Sequence, residues 1–124
     1  MLILMPLKKN TIPAIAAAGD HLAGLVTEVP TNPLVQTADI ERVAALVRSA
    51  GGRIVLDPTL VSPFNIRLLE YADVVVNSLT KYAANEGDVI AGSVIINPDG
   101  PDAAILRVRI ADRLDPIYPR DLRR

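Results

Sequence analysis

Residues 73–78 read Asp73-Val74-Val75-Val76-Asn77-Ser78, and this short run decides the fold. Three consecutive β-branched residues leave no face for water. A strand reads this way when helices cover both sides of a parallel sheet. Two similar runs lie upstream, Leu22–Thr27 and Arg53–Leu56. Between them Ile40, Val43, Ala44 and Val47 recur at helical spacing. Thr37 is the expected cap of that helix, and Asp39 and Glu41 favour its positive end. Gly51-Gly52 stops it. Ser62-Pro63 predicts a second, short helix running through Glu70. Downstream, Gly92–Asn97 reads as a fourth strand. Pro98-Asp99-Gly100-Pro101 then turns the chain into a last helix, about Asp102–Leu114. A weaker amphipathic stretch covers Ile12–Ala18.

The predicted order is β-α-β-α-β-β-α. It gives an α/β fold, a mostly parallel sheet with flanking helices. Right-handed crossovers place the C-terminal ends of the first three strands on one edge. Ligands of open α/β sheets bind at that edge.

Composition narrows the function classes. The chain has 124 residues, half of them apolar, with 13 Lys plus Arg against 14 Asp plus Glu. That is not a disordered composition. The near-neutral balance gives no electrostatic footprint for nucleic acid. Arg120, Arg123 and Arg124 flank Asp121 and add little to it. The absence of cysteine removes disulfides and thiolate metal sites, and the single histidine, His21, makes an imidazole zinc site a poor expectation. No apolar run approaches the ~20 residues of a spanning helix. The opening Met1–Met5 is apolar, but Lys8 and Lys9 follow it, the wrong order for a secretory signal. The expectation is a cytoplasmic protein without membrane or nucleic-acid partners.

The ligand edge collects the polar residues that folding alone does not demand. Glu28 and Asn32 follow the first strand, Asp57 ends the second, and Ser78, Thr80 and Lys81 follow the third. Lys81 is the most informative. The chain has ten arginines and only three lysines, the other two being the adjacent Lys8 and Lys9. Lysine rather than arginine is required where an amine must lose its proton. Nucleophilic amines form Schiff bases with carbonyl substrates and with pyridoxal phosphate. That cofactor needs an acid at its ring nitrogen. Asp57 can be that partner, and Ser78 and Thr80 can donate to a phosphate. Each residue alone also has a plain reading as a solvated or turn residue. Their convergence from three strand ends carries the argument.

Three linked motifs carry a resemblance. Glu28-Val-Pro-Thr-Asn-Pro33, Ile54-Val-Leu-Asp57 and Asp73-Val-Val-Val-Asn-Ser-Leu-Thr-Lys-Tyr82 resemble the Cys/Met-metabolism family of pyridoxal-phosphate enzymes. This is the cystathionine γ-synthase-like group of fold type I, and the likeness runs from about Leu22 to Asn97. It implies that Lys81 is the lysine that attaches the cofactor and moves protons at the substrate. It implies Asp57 at the pyridinium nitrogen, Ser78 and Thr80 at the phosphate, and Asn32 near the ring oxygen. Glu28 has a supporting role. The implied activity is elimination or replacement on a sulfur or homoserine-ester amino acid, in a homo-oligomer.

There are departures from the family pattern. Ala83-Ala-Asn-Glu-Gly-Asp88 stands where the family has leucine and a Gly-His-Ser/Ala-Asp stretch, and Pro58-Thr59-Leu60 where Asn-Thr-Phe is usual. The family's phosphate loop and stacking tyrosine would precede Glu28 by a long stretch. Its carboxylate-binding arginine belongs to a C-terminal domain. Residues 1–124 are therefore expected to be the central part of one large domain, inactive alone and prone to association. The alternatives are a receiver-like signalling domain and a non-catalytic remnant of the same fold. The first needs an acidic pair at the end of its first strand. Before Asp57 the acids are Asp20, Glu28, Asp39 and Glu41, with no adjacent pair.

Overall fold

A computed structural model of the chain describes residues 2–4 and 11–116. The leader reading of Met1–Met5, Lys8 and Lys9 and the cluster Arg120, Arg123 and Arg124 lie in whole or in part outside the described residues.

Five strands form one sheet in chain order: β1 (Leu2–Leu4), β2 (Gly24–Glu28), β3 (Arg53–Asp57), β4 (Val74–Ser78) and β5 (Gly92–Ile96). The first four run parallel, and β5 returns antiparallel to β4. Helices α1 (Thr11–Ala18), α2 (Ile40–Ser49) and α3 (Ala103–Leu114) complete it. The mostly parallel α/β reading holds, with β1 as a fifth strand. At three residues, β1 is too short to show a period.

Helix α2 forms where its apolar stripe predicts. Ile40, Val43, Ala44 and Val47 are its buried residues. Its cap, however, is Asp39 and not Thr37. The Asp39 carboxylate accepts the Arg42 amide at 3.0 Å, the reach of an N-cap oxygen when the helix starts at Ile40. Gly51 follows in the left-handed region at φ +72°. Its amide and that of Gly52 bond the Arg48 and Val47 carbonyls, closing the helix.

The core lies on one side of the sheet. Leu25, Ile54, Leu56 and Val75 pack against Ile15 and Ala18 of α1 and the α2 stripe. The other side is only partly covered: Val26, Val55 and Val76 are half-buried and Val94 is exposed. The expectation of two covered faces is thus met on one side alone. On the second side Arg53 ties the start of β3 to Asp102, just before α3, through an ion pair.

The helix expected from Ser62 to Glu70 does not form. Ser62 takes φ +68°, and its amide and that of Val61 both bond the Pro58 carbonyl. Tyr71 and Ala72 bond back to Leu68 as a single turn. The left-handed Ser62 and its bond to Pro58 break the helical path at the first residue. Leu68 and Ala72 still reach the core. Beyond them, buried Asp73 stands immediately before β4. Its carboxylate accepts the Ile54 amide at 2.8 Å, fixing the register Val55 with Val74.

Candidate functional site

The C-terminal ends of β2, β3 and β4 share one edge, because these strands are parallel. Register sets Glu28 and Asp57 side by side as the last residues of their strands. Pairing of β3 with β4 ends at Leu56 with Val75, and β3 itself ends at Asp57, whereas β4 runs on to Ser78. A cleft of about 430 Å³ lies at this edge.

Glu28, Asn32 and Asp57 line this cleft, as do Thr80 and Lys81. Three strand ends thus bring an acid pair, an amide, a hydroxyl and an amine to one space. Of the residues singled out from sequence, Ser78 alone does not line it.

The β2 end is shaped by a closed loop. Val29, Pro30 and Thr31 are buried. The Thr31 amide donates to the Gln36 carbonyl at 2.9 Å, and the Gln36 amide returns to the Thr31 hydroxyl at 3.1 Å. The Val29-Pro30 and Asn32-Pro33 peptide bonds are cis. The Glu28 carboxylate accepts the Asn32 amide at 2.8 Å, which holds Asn32 over the strand end. Glu28 therefore acts on the loop that carries Asn32.

The β4 end is a tight turn. The Leu79 amide bonds the Ala91 carbonyl, and the Thr80 hydroxyl accepts the Ala91 amide at 3.1 Å. The same hydroxyl lies 3.4 Å from the Ala91 carbonyl, too long to hold its proton firmly. The hydroxyl itself lines the cleft. The Asn85 amide bonds the Lys81 carbonyl at 2.8 Å, wrapping residues 81–85 into a turn. Asn85 and Gly87, at φ +64° and +74°, and the exposed Tyr82 form the remaining wall. Lys81 is exposed, and among the described residues its amine has no ion-pair partner.

Thr59 is the residue that sequence reasoning passed over. Its amide and its hydroxyl both donate to Oδ1 of Asp57, at 2.9 and 2.5 Å. Its hydroxyl oxygen also accepts the Ser78 amide at 2.9 Å. Its signals in the sequence were position, two residues after a strand-end aspartate, the spacing of an Asx turn, and the threonine it shares with the Asn-Thr-Phe pattern.

The donor set fits pyridoxal phosphate. An amine and a half-buried carboxylate face one cleft, the carboxylate has one oxygen committed to Thr59, and the Thr80 hydroxyl lines the same cleft beside Lys81. Among the described residues there is no group of acidic or histidine side chains arranged for a metal ion, and no helix is long and apolar enough to cross a membrane.

Known proteins point the same way. The Cys/Met metabolism PLP-dependent enzyme family matches residues 10–110. An L-2-amino-4-chloropent-4-enoate dechlorinase/desaturase from Streptantibioticus cattleyicolor is 39% identical over 110 residues, 89% of this chain and 22% of its own length. Cystathionine gamma-synthase from Saccharomyces cerevisiae is 36% identical over 91 residues, 73% of this chain and 14% of its own length. The chain thus spans well under a third of these relatives. Cystathionine gamma synthase from Xanthomonas oryzae pv. oryzae, solved with aminoacrylate and cysteine, superposes with a TM-score of 0.73 at 26% identity, covering 88% of this chain and 27% of that one. With its three strand-end motifs gathered at one cleft and the match running through nearly all of the described fold, the chain belongs to the Cys/Met metabolism family of pyridoxal-phosphate-dependent enzymes.

Proposed function

We propose that this chain carries the cofactor-attaching part of a transsulfuration-type enzyme, working by elimination or replacement on a sulfur or homoserine-ester amino acid. The observation that supports it is the shared cleft: Lys81 and Asp57, from separate strand ends, line one cavity with Asn32 and Thr80. Pyridoxal phosphate, when bound, supplies an electron sink for charge developing at the substrate's α carbon. Lys81 would hold it through its amine, and the same amine, once free, would take the α-carbon proton on Nζ. Asp57 holds a proton on the ring nitrogen. Thr80 would donate to the phosphate, and Asn32 would sit by the ring oxygen. Residues 1–124 are read as the central part of the large domain. The working protein is a cytoplasmic homo-oligomer.

The test is covalent. The full chain is incubated with pyridoxal phosphate, reduced with borohydride and digested for mass spectrometry. A pyridoxyl group on the Lys81 peptide, absent in Lys81→Ala, is the expected result. No adduct, or one spread over Lys8 and Lys9, overturns the reading. The same experiment distinguishes a remnant that keeps the fold without its chemistry. Family membership displaces the receiver-like alternative.

A further inference from the structure

We propose that Thr59 is a positioning residue that selects which oxygen of Asp57 meets the cofactor and fixes that carboxylate to the strand end leading to Lys81. The proposal rests on the cofactor reading above.

The argument begins with a gap. Strand pairing of β3 with β4 stops at Leu56 with Val75, and β3 ends at Asp57, yet β4 continues for three more residues. The Ser78 amide, at the very end of β4, thus lies beyond the last β3 residue. The Thr59 hydroxyl accepts it at 2.9 Å.

A hydroxyl has one proton and two acceptor sites. Having accepted from Ser78, Thr59 has its one proton to give. Two acceptors stand near: Oδ1 of Asp57 at 2.5 Å and Oδ1 of Asn77 at 3.3 Å. The distances assign it to Asp57. A bond of 2.5–2.7 Å is typical of a hydroxyl donating to an ionised carboxylate. The Thr59 amide adds a second bond to the same oxygen at 2.9 Å. Oδ1 is therefore committed twice, and Oδ2 is the oxygen left for a proton on the cofactor ring.

The two links act together. Asp57 and Lys81 sit on different strand ends, and their separation decides whether one ring can reach both. The chain from Asp57 Oδ1 through the Thr59 hydroxyl to the Ser78 amide is a side-chain strut across that separation. Ser78 lies three residues before Lys81. Thr59 also lines the cleft, and the role proposed for it is exerted through Asp57.

The experiment compares Thr59→Val, which keeps shape and loses the hydroxyl, with Thr59→Ser, which keeps it. Without cofactor, NMR follows the Asp57 carboxyl carbon and the hydrogen exchange of the Ser78 amide in the full chain. Thr59→Val should move the carboxyl resonance and speed exchange about tenfold, as expected for loss of one hydrogen bond. Thr59→Ser should restore both. If neither signal differs between Thr59→Val and the parent chain, the strut is refuted, whatever becomes of the cofactor reading.

With pyridoxal phosphate, fluorescence titration should show about tenfold weaker binding for Thr59→Val and near-parent binding for Thr59→Ser, again one charge-assisted bond's worth. In an Asp57→Ala background, Thr59→Val should cost nothing further, because Thr59 acts through Asp57. An additional tenfold loss there overturns the proposal. If the parent chain takes no cofactor, the cofactor reading fails, and the cofactor-free arm still decides whether Thr59 holds Asp57. If Thr59→Val does not fold, Thr59→Ser carries the test: loss of its Ser78 protection refutes hydroxyl-specific bracing.

Discussion

Replacing Asp73 with alanine should be the most damaging single polar change in this fold. Asp73 is 4% exposed, and Ile54 is wholly buried. Two bonds join them. The Asp73 amide donates to the Ile54 carbonyl at 2.9 Å, and the Asp73 carboxylate accepts the Ile54 amide at 2.8 Å. Alanine keeps the first and loses the second. A hydrogen bond to a charged group contributes about 1.5–3 kcal/mol, and a buried amide left without an acceptor costs about 1–3 kcal/mol. The two figures describe overlapping events, so the expected loss is about 2–4 kcal/mol. Against a total of about 0.05–0.15 kcal/mol per residue, that is a large fraction. Asp73→Asn keeps an oxygen acceptor and should recover about half. Urea unfolding followed by circular dichroism measures this, and the alanine midpoint should fall by about 1–2 M for a slope of about 2 kcal/mol/M. Hydrogen exchange at the Ile54 amide localises the effect. An alanine variant within about 0.5 kcal/mol of the parent, the range of a neutral surface substitution, would refute the reasoning. Unchanged Ile54 protection would do the same.

Two further outcomes are expected. A Cβ at Gly24 would stand 2.6 Å from the Arg53 carbonyl oxygen of the neighbouring strand, so Gly24→Ala should destabilise by about 1–3 kcal/mol through a forced shift of β2 against β3; thermal unfolding reads this, and an unchanged midpoint would contradict the close approach. The Tyr71 hydroxyl titrates above its ordinary value of 10.0, chiefly because Glu70 stands beside it, with burial and Glu41 adding to the effect. The folded state therefore keeps that proton longer, and its contribution to stability is lost as pH rises through the ordinary tyrosine range. Glu70→Gln should bring the Tyr71 titration down, as followed by tyrosinate absorbance, and no downward movement would contradict the assignment.

Much of this was legible from residue patterns. The β-branched run at Val74–Val76, the stripe from Ile40 to Val47 and the paired glycines at 51 and 52 each have one local solution, and the fold adopts it. The strand ends named the cleft, because parallel pairing places Glu28, Asp57 and the turn with Lys81 on one edge. What was not legible depends on contacts across the chain. The segment from Ser62 to Glu70 has a helix's opening residues but gives its amides to the Pro58 turn. The cap of α2 shifted from Thr37 to Asp39 because where the helix starts is set by how its stripe docks. Ser78 ends β4 as its strand run predicts but does not line the cavity. Thr59 acts through a backbone amide 19 residues away, which no local pattern encodes.

The return of β5 against β4 has an entropic meaning. Ser78 with Gly92 closes the shortest sequence separation of any pairing in the sheet, and Gly24 with Arg53 belongs to the longest. Each doubling of a closed loop costs about 0.6 kcal/mol of chain entropy. The hairpin carrying Lys81 in its connection is therefore the least costly pairing to form, and the crossover that delivers Asp57 is the most costly. The amine and the acid that share the cleft are thus delivered by chain closures whose entropic costs differ by about 0.6 kcal/mol, one doubling of loop length.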